Sequence, residues 1–230
     1  MKTITLLFTL IFFGSFGIGQ DCSPVQMLTE GTVWETTNYN KKDKIQGTNS
    51  YEVLSMNKAD DKVIWELKMI MKDKKGELIT ESVTEVSCED GIFKMDMKQF
   101  SSPETMDAMK DMDVTIDATE VQYPTSLEAG QTLPDAEMTV EASSSGMKVM
   151  TIKTQITDRK VEDLESIETP AGSYKCFVMS QNTNVKNSIV DVTTKSKEWF
   201  FPGFGVVRSE SYDKKGNLSG YTVLTSIKKP

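Results

Sequence analysis

Apolar and polar residues alternate with a period of two along most of this chain. Val63, Trp65, Leu67, Met69 and Met71 are interleaved with Ile64, Glu66, Lys68 and Ile70. That is the pattern of a half-buried antiparallel strand, because successive side chains of an extended chain point to opposite faces. Phe93, Met95 and Met97 alternate with Lys94 and Asp96 in the same way. The same reading predicts strands over 32–39, 45–56, 78–88, 114–121, 136–142, 147–157, 161–168, 173–182, 189–200, 206–212 and 220–227.

Turn chemistry separates these runs. Asp73-Lys74-Lys75-Gly76, Glu89-Asp90-Gly91, Ser144-Ser145-Gly146 and Asp213-Lys214-Lys215-Gly216-Asn217 each hold a residue able to take positive φ. Residues 39–45, 71–78 and 212–218 share a lysine-rich tip leading into an apolar residue. Their uneven spacing argues against a repeat fold and predicts three similar hairpins in one meandering sheet.

One segment departs from the alternation. Ser102-Pro103-Glu104 has the cap, first-turn proline and early acid of a helix start, and Met106, Met109 and Met112 follow at helical spacing with Lys110 facing away. Pro124, Gly130 and Pro134 mark 123–134 as a crossing loop. A twisted sheet of ten or more strands rarely stays open and flat. The expected fold is therefore mainly β: a long antiparallel sheet curled into an incomplete barrel, with one short helix against its apolar face. No Ser/Gly-rich linker divides the chain, so 20–230 is expected to be a single domain.

The first nineteen residues are of another kind. Lys2 precedes an apolar run over 4–13, and Gly17-Ile18-Gly19 offers a small-x-small cleavage site before Gln20. The run is too short to span a bilayer, so 1–19 reads as a removed export signal and the protein as periplasmic or secreted, with no transmembrane segment after processing.

Composition narrows the chemistry. The net charge is −8 and the acids are spread along the chain, which leaves no basic stripe of the kind nucleic acid requires. There is no histidine, so Ser-His-Asp or Cys-His nucleophiles and His-ligated metals are excluded. Acidic pairs such as Asp60-Asp61 and Glu162-Asp163 lack the Gly-turned ligand spacing of a calcium loop. No catalytic, metal or cofactor motif remains. Cys22, Cys88 and Cys176 are the three cysteines; in an oxidising compartment two pair and one is left over. The residues before Cys22 do not fit a lipid-attachment site. Cys22 is expected to pair with Cys88, because Cys176 lies in an apolar strand pattern suited to a buried free thiol.

Two motifs in the second half carry a family resemblance. Thr169-Pro170-Ala171-Gly172-Ser173-Tyr174 and Glu198-Trp199-Phe200-Phe201-Pro202-Gly203-Phe204-Gly205-Val206-Val207-Arg208 resemble the T-P-A-G-x-[FY] and W-[FY]-x-x-G-x-G patterns of exported Bacteroidetes proteins with TapB-like domains. The resemblance implies an open, curved antiparallel sheet of the kind seen in periplasmic lipoprotein carriers, and it transfers no catalytic residue. Physically both motifs read as turns: Pro170 sets φ, and glycines let the chain bend.

Methionine is the remaining oddity, with 14 in the chain, mostly on apolar alternation positions. Its flexible thioether suits surfaces that accept variable apolar ligands. The expected function is non-enzymatic binding of a lipid or other apolar ligand in a half-open barrel, with Trp65, Met69, Phe93, Met95, Met106 and Met109 as lining residues. The alternative is an envelope scaffold that docks another protein and has a filled core.

Overall fold

The computed structural model describes Cys22 and residues 28–59, 62–100 and 109–230. Strands β1 (Val33–Asn40), β2 (Ile45–Ala59), β3 (Lys62–Asp73), β4 (Leu78–Glu89) and β5 (Ile92–Asp96) make up the first half. Strands β6 (Asp113–Ala118) and β7 (Glu120–Pro124) follow, then β8 (Ala136–Ser144), β9 (Met147–Thr169), β10 (Gly172–Lys186), β11 (Asp191–Phe201), β12 (Gly205–Tyr212) and β13 (Leu218–Lys228). They form one antiparallel sheet in the order β6-β8-β9-β10-β11-β12-β13-β1-β2-β3-β4-β5-β7. The mainly-β, curled-sheet expectation holds, and the sheet is a nearly closed barrel.

Closure follows from where the chain crosses itself. The flanking strands β6 and β7 are separated by Thr119 alone, yet β6 pairs with β8 and β7 pairs with β5. One extended segment thus lies along both edges of the sheet. Thr119 donates its amide to Glu137 (2.9 Å) and accepts from the Met97 amide (3.1 Å), and its hydroxyl accepts from the Glu137 amide (2.8 Å). The edges of β5 and β8 are covered in this way, and templated pairing with another chain along them is blocked. The run expected over 114–121 is therefore divided between two neighbours.

Two further expectations change. The runs 147–157 and 161–168 are one strand, β9, bent by a bulge where Asp158 takes φ 53°. The loop after β7 packs on that bend: Gly130 and Leu133 donate to the carbonyls of Val161 and Arg159. The helix expected from Ser102 falls largely on 101–108, which lie outside the described residues; of its expected methionines, Met109 and Met112 close a turn, with the Met112 amide on the Met109 carbonyl (3.0 Å). A 3-10 turn, Met97–Phe100, stands just before that segment.

The hairpin turns behave as their sequences dictate. Asp90-Gly91 and Ser145-Gly146 take consecutive positive φ, the primed geometry that matches strand twist. The three lysine-rich tips share one device. Asn40, Asp73 and Asp213 each accept, through a single side-chain oxygen, the backbone amides two and four residues on. At Thr169-Pro170-Ala171-Gly172 the Thr169 hydroxyl accepts the Ala171 amide (3.1 Å) and Gly172 sits at φ 134°.

Strand register places the turns of β1/β2, β3/β4, β8/β9, β10/β11 and β12/β13 at one end of the barrel, hereafter the tip end. The opposite base end is filled. Trp65, Phe93, Met97, Met109 and Val121 are buried there together, and the Trp65 indole donates to the Leu28 carbonyl (2.7 Å). Trp34 stacks on Tyr51 (5.0 Å) and meets Phe204 edge-on (5.3 Å). The disulfide Cys22–Cys88 closes this end (Cα–Cα 5.8 Å) and Cys176 is a buried free thiol, the pairing expected from sequence.

Candidate functional site

Filling stops partway up the barrel at a polar layer. Arg159 follows Ile156 on the inner face of β9, brought inward by the Asp158 bulge, and is only 1% exposed. Its Nε donates to Gln181 Oε1 (3.2 Å), its Nη1 to the Pro134 carbonyl (2.8 Å), and its guanidinium lies 5.0 Å from the centre of the Tyr123 ring. Gln181 Nε2 donates to Glu198 Oε1 (2.9 Å), and the Tyr123 hydroxyl donates to Glu198 Oε2 (3.1 Å). These contacts run across the interior between β7, β9, β10 and β11, with Tyr123 stacked on Phe200 beneath.

The layer is electrostatically tense. Burial raises the Glu198 carboxyl above the usual carboxylate range, opposed by the Tyr123 hydrogen bond and the Arg159 charge. Burial, then the Glu198 charge, raises the Tyr123 hydroxyl well above its ordinary value. Nη2 of Arg159 is buried with no hydrogen-bond partner among the described residues. A buried donor left in that state costs about 1–3 kcal/mol.

Above this layer the barrel opens into a hollow of about 520 Å³ toward the tip end. One wall, from β8 and β9, is apolar: Met138, Val140, Ile152 and Ile156. The facing wall, from β10 to β12, carries hydroxyls: Thr183, Thr194, Ser196, Ser209 and Ser211. Gln181 and Glu198 form its floor and Val185 stands at its rim. The period-two alternation places these side chains on one face. A second concavity, on the outer face of β3 to β5, is lined by Lys62, Glu66, Glu85, Lys94, Asp96 and Lys98, whose charges are partly met by their neighbours (Lys94–Glu89, 2.7 Å; Lys98–Asp96, 3.8 Å).

The lining residues expected from sequence are placed in the first half instead. Trp65 and Phe93 do meet, with ring centres 6.1 Å apart, and Met109 is buried in the same core. Met69 and Met95 are half-buried and Met106 lies outside the described residues. The hollow takes one methionine, Met138; the rest of its lining is β-branched and hydroxyl residues with Gln181 and Glu198. The signal available was the Thr/Ser alternation Thr183, Thr194-x-Ser196 and Ser209-x-Ser211, which repeats on three consecutive strands. Cys176 is buried and its thiol is pushed up to about 12 by burial, so it offers no reactive group. Trp199, which turn chemistry leaves unexplained, faces outward: its indole donates to Glu165 (3.1 Å) and Arg208 lies over its ring.

Solved structures share this architecture. A candidate lipoprotein from Parabacteroides distasonis superposes with a TM-score of 0.72 at 28% identity, covering 87% of this chain and 96% of that one. A candidate exported protein with a YmcC-like fold from Bacteroides fragilis gives 0.71 at 24% identity, covering 87% and 97%. Among curated proteins no relative matches. The family match is to a DUF3108-like profile, and it does not extend to the TapB-like label suggested by the two turn motifs. With that profile matched over 29–224, nearly the whole barrel, the chain belongs to the DUF3108-like family.

Proposed function

We propose that this protein is exported to the cell envelope and binds a small amphiphile, without chemistry, in the hollow formed by β8 to β12. The observation that carries the reading is the hollow itself. Its volume lies within the roughly 300–1,000 Å³ of ligand pockets, and it sets an apolar wall against a hydroxyl wall over a polar floor. A ligand with an acyl or ring body and a hydroxylated or amide head satisfies both walls. Its polar atoms meet the Thr/Ser row and the remaining lone pairs of Glu198.

Export is supported by the apolar leader over 4–13 and by the exported neighbours. Attachment through a lipid on Cys22 is not part of this reading, because the sulfur that would carry the lipid is bonded to Cys88. Enzymatic action is set aside because the chain has no histidine and its interior carboxylate, Glu198, is already engaged by Tyr123 and Gln181.

The scaffold reading rests on a separate observation, the filled first half around Trp65 and Phe93. One experiment decides between them: titration of the exported protein with fluorescent acyl-chain and glycolipid probes, alongside Ser196→Trp, which fills the hollow. Saturable binding that is lost in Ser196→Trp, with unfolding stability retained, supports the carrier. Absence of binding to either probe by the wild type, with no small molecule co-purifying by native mass spectrometry, leaves the scaffold.

A further inference from the structure

The tip end of the barrel concentrates two features scattered elsewhere. The first is lysine. The turns of β1/β2, β3/β4 and β12/β13 carry Lys41, Lys42, Lys44, Lys74, Lys75, Lys214 and Lys215, all exposed. These turns are neighbours in space: the Lys41 amide donates to the Ser219 carbonyl (3.2 Å), and Gly47 is in register with Asp73. Seven lysines stand there against four acids, Asp43, Asp73, Glu77 and Asp213. Asp73 and Asp213 accept backbone amides, and Asp43 accepts from the Tyr221 hydroxyl (2.9 Å). In a chain of net charge −8 these three turns are thus net positive.

The second feature is exposed apolar surface. Of the 13 large hydrophobics exposed among the described residues, nine are at this end. Ile45, Leu78 and Ile79 follow the lysine tips. Met147 and Val149 stand on β9 beside the β8/β9 turn, and Val185, Ile189, Val190 and Val192 flank the β10/β11 turn, with Ile189 91% exposed. Along the strands these two hairpins run on past the lysine tips: Lys195 is level with Tyr212, and β11 begins four residues earlier. On the next strand Lys186 is level with Lys153, six residues after β9 begins, so the hairpin ends that carry Met147, Ile189 and Val190 reach further along the strands than the lysine tips. Scattered single hydrophobics need no explanation, but a cluster rimmed by one sign of charge marks an interaction site.

We propose that the tip end docks on the surface of an anionic lipid bilayer. Ile189, Val190 and Met147 enter the interface while the lysines reach headgroup phosphates, their stems lying along the apolar boundary. The mouth of the hollow then faces the membrane. An acidic protein partner would use the lysines but leave the projecting apolar tips in water. A bilayer uses both in the observed order, apolar in front and basic behind.

Vesicle flotation with the exported protein tests this directly and needs no pocket ligand. Binding is expected to phosphatidylglycerol-containing vesicles, weaker to pure phosphatidylcholine, and reduced by salt as surface charges are screened. Each lysine near an anionic surface is worth about fivefold in partition, so Lys41→Glu with Lys215→Glu should lower binding by more than about tenfold. Ile189→Asp should lower it on both vesicle types, while Leu164→Asp, an exposed apolar position away from the tip end, should not. All four sites are exposed, so circular dichroism should match the wild type. Equal binding to charged and neutral vesicles, or Ile189→Asp and the lysine variants binding as wild type, overturns the proposal. So does an Ile189-dependent dimer in solution that binds no vesicles, which would assign this end to a second copy of the chain.

Discussion

Glu198 takes hydrogen bonds from Tyr123 and Gln181 at the floor of the hollow, and burial holds its carboxyl above the usual range. The folded state therefore binds this proton more tightly than the unfolded chain. The site's contribution to stability is full below the ordinary carboxylate pKa and is lost as pH rises through the raised value. Glu198→Gln removes that titration. Denaturation between pH 4 and 8 should show a flatter stability profile in the variant, with its value at pH 7 equal to or above the wild type. A variant less stable than the wild type at pH 7 would mean that Arg159 outweighs burial. Residues of this kind are poorly legible in sequence. Arg159, Gln181 and Glu198 read as outward polar positions of ordinary strands until the Asp158 bulge turns Arg159 inward.

Among the elements, the lysine-tipped hairpins follow most directly from their own residues. An Asx side chain at the first position organises each tip, and hydrogen bonds from nearby amides hold the carboxyls of Asp73 and Asp213 below their usual range. A lowered folded pKa means the stabilisation is present above the ordinary carboxylate pKa and is lost as pH falls through the depressed value. Amide exchange by NMR should show protection at Lys215 and Asn217 at neutral pH, falling on acidification. Asp213→Ala should abolish that protection at every pH while leaving β12 and β13 protected. Strand alternation was equally readable, because each position's face is set by its immediate neighbours. The break between 157 and 161 was not. A bulge keeps the strand continuous while mimicking, in sequence, the polar interruption of a loop.

For the molecule as a whole, the Cys22–Cys88 bridge ties the start of the described chain to β4 across a separation of 66 residues. The chain-entropy account gives such a bridge about 4 kcal/mol of stabilisation. Cys88→Ser should lower the unfolding free energy by roughly that amount, and non-reducing peptide mapping should recover Cys22 joined to Cys88 with Cys176 free. If Cys88→Ser is as stable as the wild type, the unfolded chain is not the state being constrained. Barrel closure has a different origin. It depends on Thr119 bonding both to Glu137 and to Met97, groups 18 and 22 residues away that meet only when the sheet has curled.

The mainly-β class, most strand positions, the turn residues and the free cysteine are readable in the chain itself, because each depends on local periodicity, turn stereochemistry or composition. Tertiary structure alone decided which half of the barrel is filled and which is hollow. Inward-facing Trp65 and inward-facing Ser196 obey the same alternation. What separates them is whether rings from strands distant in sequence, Trp34, Tyr123 and Phe200 among them, reach across to occupy the space. The methionine-rich first half suggested a greasy cavity and proved to be core at Trp65, Phe93 and Met109. The cavity lies instead where small hydroxyl residues on three strands leave volume that no neighbour fills. Volume is a property of the assembled interior, and no single strand carries it.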